Sequence, residues 1–151
     1  MQNFYQHLYK YKIFKRLIPS IIRRLPNSKS TNVNFNNFKI NLNLESSIDR
    51  EIYLKGFYDR EQISFIEKKV NVQEFDYFID IGSNIGFYSI YFASNYKNLN
   101  IMSFEPIKEN YDQINRSVSI NNYQKFNTYN YALSNTEENK TMWVTDLRKK
   151  G

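Results

Sequence analysis

The sequence contains no cysteine, one histidine (His7), three prolines and four glycines. Without cysteine there are no disulfides and no thiolate metal sites, and the redox compartment stays open. A single histidine excludes a histidine-rich metal centre. No run approaches the ~20 apolar residues that a membrane-spanning helix needs. The N-terminus lacks the unbroken apolar core and small-residue cleavage site of a secretory signal. Acids are missing from residues 1–30, which carry Lys10, Lys12, Lys15, Arg16, Arg23, Arg24 and Lys29. Elsewhere 14 basic residues face 15 acids, so the net charge of +6 and the basic pI belong to the N-terminal segment. A near-neutral body argues against a nucleic-acid groove, and no nucleic-acid partner is expected.

What is present suffices for one folded domain. The 151 residues are 41% hydrophobic and 17% aromatic, ample for a core but small for a complete doubly wound fold. Asparagine is abundant throughout without forming one low-complexity tract. His7, Trp143 and the many Tyr and Phe residues read as surface and packing groups rather than as catalysts or a substrate platform.

The pattern divides into a basic amphipathic tail (1–30), a lead-in of hairpin and helices (31–70) and an α/β segment (71–151). In residues 3–25, Phe4, Leu8, Tyr11, Phe14, Leu17, Ile18, Ile21, Ile22 and Leu25 recur mostly every three or four positions. That spacing predicts an amphipathic helix interrupted at Pro19, with the basic residues largely on the other face. It suits either contact with an anionic membrane surface or packing on its own domain or a partner with the charges solvated, and the second ranks slightly ahead. The localisation expected is cytoplasmic, with peripheral membrane contact through residues 3–25 as its one extension.

Val33 and Phe35, then Phe38, Ile40, Leu42 and Leu44, alternate with polar residues and change phase at Asn36-Asn37, predicting a hairpin or bulged strand. Ser47–Leu54 predicts a short helix. Arg60–Val70 predicts another, capped by Asp59 with Gln62 completing a capping box and with Ile63, Ile66 and Val70 buried. Beyond it the sequence predicts strand Tyr77–Ile81, a helix to Asn95 and strand Ile101–Phe104. A helix Lys108–Ile120 follows, with Tyr111, Ile114 and Val118 inward and Asn121-Asn122 at its end. Strands Phe126–Tyr131 and Thr141–Thr145 complete the pattern. Alternating strands and helices predict an open parallel sheet with right-handed crossovers.

Candidate site residues cluster at the carboxyl ends of these strands, where ligands bind in open α/β sheets. The turn Asp80-x-Gly82-x-Asn84-x-Gly86 places glycines where the chain needs positive φ or a ligand must touch backbone. Glu105 ends the next strand and can accept hydrogen bonds from ribose hydroxyls, so an adenosine-containing ligand is expected. Ala132-Leu133 follows the third strand on the same edge. A dinucleotide fingerprint starting at Gly82 would need glycines at Asn84 and Phe87, and no Lys-Ser/Thr follows for a P-loop. Asp80 suits a ligand bearing a sulfonium or ammonium, which points to S-adenosylmethionine.

The segments Asp80-Ile81-Gly82-Ser83-Asn84-Ile85-Gly86-Phe87-Tyr88-Ser89, Phe104-Glu105-Pro106 and Tyr131-Ala132-Leu133-Ser134 resemble the FkbM-type methyltransferases. Gly56-Phe57-Tyr58-Asp59 resembles their lead-in, with Asp where Glu is commoner. The resemblance covers roughly Asp49 to Thr145. It implies a class I, Rossmann-like methyltransferase fold and S-adenosylmethionine-dependent transfer of methyl to a hydroxyl oxygen of a sugar or natural product. By the same resemblance Asp80, Gly82, Ser83, Asn84 and Gly86 line the cofactor, chiefly at its methionine end. Glu105 holds the ribose, and Pro106, Ile107 and Ala132 flank the adenine. Family members continue into a fourth strand with a Lys-Ile-Asp-Val-Glu-Gly-like segment that this sequence lacks. The expectation is therefore a truncated cofactor half, without an assigned catalytic base or metal, prone to self-association along its first strand. The alternatives are a non-catalytic or degenerate nucleotide-binding or interaction module and, less favoured, a nucleotide-dependent oxidoreductase.

Overall fold

Short runs of β-branched and aromatic residues, punctuated by asparagine and glycine, form two separate sheets in the computed structural model, which describes residues 2–142. Helices α1 (Gln2–Tyr9) and α2 (Ile18–Ile22) open the chain. Strands β1 (Thr31–Phe35) and β2 (Phe38–Leu42) pair antiparallel with Phe35 opposite Phe38, so the phase change at Asn36-Asn37 is a two-residue hairpin turn. Helices α3 (Ser47–Lys55) and α4 (Arg60–Lys69) follow. The remainder alternates: β3 (Tyr77–Ile81), α5 (Phe87–Asn95), β4 (Asn100–Phe104), α6 (Lys108–Asn121) and β5 (Phe126–Tyr129). The last three strands form a parallel sheet in the order β3-β4-β5, a Rossmann-like α/β arrangement as the alternation predicts.

Helices α5 and α6 each touch both the parallel sheet and β2, so the hairpin lies over the helices. The core between these layers contains Ile40, Leu42, Ile52, Phe87, Ile90, Phe92, Ile101 and Ile114, all buried. Phe78 points into it and stacks on Phe92, with ring centroids 4.4 Å apart. Its neighbours Tyr77, Ile79 and Ile81 point the other way and are exposed, as the two-residue strand period requires.

A seam of polar side chains joins β2 to α6. Lys39 and Asn41 direct backbone groups away from β1, and among the described residues no third strand receives them. The Asn121 side chain accepts from Lys39 N at 2.7 Å and donates to Lys39 O at 2.6 Å. Ser117 Oγ accepts from Asn41 N at 2.9 Å, and Gln113 Nε2 donates to Asn41 O at 2.8 Å. Gln113 Nε2 also donates to Asp49 Oδ2, which accepts from Asn43 N. Burial raises the Asp49 pKa, opposed by these hydrogen bonds. Among the described residues no buried side-chain nitrogen or oxygen lacks a partner.

Several expectations are corrected. The basic segment is not a helix broken at Pro19. Turns occupy residues 10–17, and Pro19 is the second residue of α2, where its missing N–H interrupts no helical bond. Asp59 precedes α4 but has a left-handed φ of 47° and no capping bond; its carboxylate accepts from Tyr88 Oη at 3.2 Å instead. Val70 lies past the helix end, in extended conformation, and is exposed. On α6 only Ile114 of the expected trio is buried; Tyr111 and Val118 are half-buried because Gln113 and Ser117 share the inner face. Strand β5 stops at Tyr129, where the Asn130 side chain turns to donate to the carbonyls of Glu105 and Pro106. Residues 141–142 have no regular structure, and the rest of the expected strand Thr141–Thr145 lies outside the described residues.

Ser117→Ala leaves the buried Asn41 amide without an acceptor, which costs about 1–3 kcal/mol. Equilibrium denaturation is expected to show that loss, while Ser119→Ala on the exposed side of the same helix stays within about 0.5 kcal/mol of wild type.

Candidate functional site

The turn between β3 and α5 is built from residues that accept a left-handed backbone. Gly82 (φ 76°), Asn84 (φ 52°) and Gly86 (φ 74°) all take it. The turn is fastened to β4: Gly82 N and Ser83 N both donate to Phe104 O, at 2.9 and 3.0 Å. Ser83 Oγ accepts from Ser103 Oγ at 2.7 Å. The two glycines serve different ends. A Cβ on Gly86 would sit 2.9 Å from Ile114 Cγ1, so this residue lets α5 approach α6. A Cβ on Gly82 would meet nothing within 4 Å. Its backbone is exposed to open space at the strand end, as a turn that takes a ligand requires.

Two acids flank that space in sequence and in the sheet. Asp80 is the fourth residue of β3, opposite Ser103 on β4, and accepts from Ser89 Oγ at 2.6 Å. Its carboxyl pKa is raised, chiefly by burial and also by the negative charge of Glu105, against the lowering effect of the Ser89 bonds. Glu105 directly follows β4 and is buried. Its Oε2 accepts from Asn84 N at 2.8 Å and its Oε1 from Ile107 N at 2.9 Å. It therefore ties the glycine turn to the start of α6; Oε1 also accepts from Asn110 Nδ2 at 3.5 Å, and Oε2 retains acceptor capacity.

Of the nine candidate residues, hydrogen bonds knit Gly82, Ser83, Asn84 and Glu105 together, with Ile107 bonded to Glu105. Asp80 precedes the turn and Gly86 closes it, while Pro106 is half-buried between Glu105 and Ile107. Ala132 is exposed beyond β5. Residues the sequence reading missed complete the arrangement. Asn110 Nδ2 donates to Asn84 Oδ1 at 3.1 Å, Asn130 anchors the chain after β4, and Ser89 holds Asp80. Asp59 and Tyr88 bring the α3–α4 loop alongside, with the Tyr88 hydroxyl pKa pushed up to about 12 by burial and by the neighbouring Asp59 charge. Phe57 packs edge-on against Phe87 at 5.4 Å in the same place. Two concavities, of about 730 Å³ near Arg60 and Glu67 and about 270 Å³ near Lys97 and Lys125, contain none of the nine residues.

No family model matches the sequence, and no curated protein matches it. Among solved structures, a crystal structure from Pyrococcus horikoshii described as a "putative transferase" is similar in fold, with a TM-score of 0.51 at 15% identity. The similarity covers 70% of this chain and 37% of that one, so the chain spans well under half the length of that neighbour. At this identity the likeness establishes the α/β fold.

The contrast between the glycines is open to measurement. Gly82→Ala meets only backbone strain, about 1–2 kcal/mol. Gly86→Ala meets similar strain plus the buried Ile114 side chain, adding about 1–3 kcal/mol of overpacking. Denaturant unfolding is expected to rank Gly86→Ala as the more destabilised.

Proposed function

We propose that this chain carries the cofactor-binding region of a class I, FkbM-type methyltransferase. In this reading S-adenosylmethionine binds at the β3–β4 edge, and the enzyme methylates a hydroxyl oxygen of a sugar or natural product. The observation carrying the reading is the pair of acids, Asp80 and Glu105, at the carboxyl ends of adjacent parallel strands beside the open backbone of Gly82. The donor set fits the ligand. Asp80, Gly82, Ser83, Asn84 and Gly86 would line its methionine end, Glu105 would take the ribose hydroxyls, and Pro106, Ile107 and Ala132 would border the adenine. The description of the Pyrococcus horikoshii neighbour accords with a transferase.

When bound, the cofactor supplies an electrophilic methyl group on a cationic sulfur. The residues of this chain bind and orient it. Asp80 offers a negative charge in partly desolvated surroundings, where attraction to a cation is stronger than in water. Glu105, held by two backbone amides, offers fixed acceptors rather than a mobile carboxylate. Fixing both ends of a ligand is how a transferase gains rate from proximity and orientation.

Calorimetric titration of the chain with S-adenosylmethionine and with its demethylated product tests the reading. Saturable binding is expected, weakened about tenfold or more in Glu105→Gln through loss of a charge-assisted hydrogen bond. Because the folded state raises the Asp80 pKa, it holds that proton more firmly than the unfolded chain. Stability linked to Asp80 therefore falls as pH rises from the ordinary carboxylate value through the raised one. A cation beside Asp80 favours its charged form, so affinity is expected to increase over the same window. Absence of binding by a demonstrably folded chain at every pH would overturn the proposal.

A further inference from the structure

We propose that the N-terminal segment docks the protein on an anionic lipid surface through an exposed apolar stripe bordered by lysine and arginine. The structure divides the apolar residues of this segment into two sets. Ile18 and Ile22 are buried in the core, with Phe14 and Leu25 packed against it. Gln6 Nε2 donates to Tyr53 O at 2.8 Å, fixing α1 to α3. These contacts hold the segment to the body and leave a second set outside. Ile13 in the turns, Leu17 at the cap of α2 and Ile21 within it are 73%, 58% and 50% exposed, and Phe4 on α1 is 63% exposed. Hydrogen-bonded turns run continuously from Tyr11 to Leu25, so the stripe is carried on ordered backbone.

The charge around it selects the partner. Lys10, Lys12, Lys15, Arg16 and Arg24 are exposed, and residues 1–30 contain no acid. None of these five takes part in an ion pair among the described residues. A second copy of the chain would bring two such cationic segments together across a symmetric interface, where like charges repel. A nucleic acid would satisfy the cations but leave the branched aliphatic side chains in water. An anionic bilayer satisfies both. Aliphatic side chains enter the boundary between headgroups and acyl chains, and the long basic side chains reach back to the lipid phosphates. This contact is surface attachment, since no described helix is long and apolar enough to cross a membrane.

Flotation of the full chain with phosphatidylcholine vesicles, with and without phosphatidylserine, tests the inference. The wild type is expected to float with the phosphatidylserine vesicles only, and to be released by high salt. The triple variant Ile13→Ser, Leu17→Ser, Ile21→Ser and the double variant Lys12→Glu, Arg16→Glu each alter exposed side chains. Each is expected to keep the wild-type melting temperature and to partition roughly tenfold less or weaker. Three results would overturn the inference. One is no flotation. Another is flotation that the triple variant leaves unchanged while a heparin column retains it, which would mark a general polyanion site. The third is a dimer in lipid-free solution that the triple variant dissociates, which would make the stripe a protein interface.

Discussion

The outer edge of β2 is closed by a helix rather than by a strand. An edge strand leaves a row of backbone groups unpaired, and burying such an edge without partners is costly. Here α6 meets it with Asn121, Ser117 and Gln113, spaced by four, against Lys39 and Asn41, spaced by two. Four helical residues advance about 6 Å and two strand residues about 6.8 Å, so the two rows stay in step over this short length. The match is antiparallel, and it ends at Gln113, which passes the contact on to the buried carboxylate of Asp49 at the start of α3. One face of α6 thus sets hairpin, helix and α3 in mutual register.

The candidate site depends on the same helix. Ile114, one residue along from Gln113, fills the space that the missing side chain of Gly86 leaves open. Asn110, one turn earlier, bonds Asn84, and Glu105 joins that turn to the residue that caps α6. The chain from Glu105 to Ser117 therefore carries the ribose-binding candidate at one end and the hairpin contact at the other. Helix α6 holds the turn at Asn84 and Gly86 and leaves Gly82 open, so the acids are positioned by packing rather than by flexible loops.

Most of the alternating architecture was legible from periodicity. The bounds of β3 and α5 follow from the apolar run into Ile81 and from glycines that only a tight strand-to-helix turn explains. The phase change at Asn36-Asn37 left a hairpin or a bulged strand open, and the pairing of Phe35 with Phe38 is the hairpin. Burial of Gln113 and Ser117 was not legible, because uncharged polar residues on a helix ordinarily signal a solvated face, and Asn41 on β2 read as the polar position of an alternating strand. Asparagine throughout the chain also hid the few that make specific bonds. The spacing of Gln113, Ser117 and Asn121 beside Ile114 and Val118 is the signal that could have found them. At the candidate site, spacing singled out the acids and glycines as candidates, whereas Asn110, Ser89 and Asn130 enter through contacts that only the folded chain creates. Asp59 was misread because its capping role and its bond to Tyr88 use the same carboxylate, and a left-handed backbone favours the second.

The central claim, that a helix face substitutes for a third strand on β2, is tested most directly by amide hydrogen exchange at Asn41. That amide has no strand partner, and its acceptor is the Ser117 hydroxyl. The account predicts that it exchanges as slowly as the core strand amide of Ile101, and that Ser117→Ala speeds Asn41 well beyond any change at Ile101. Exchange of Asn41 at the rate of an open strand edge in the wild-type protein would contradict it.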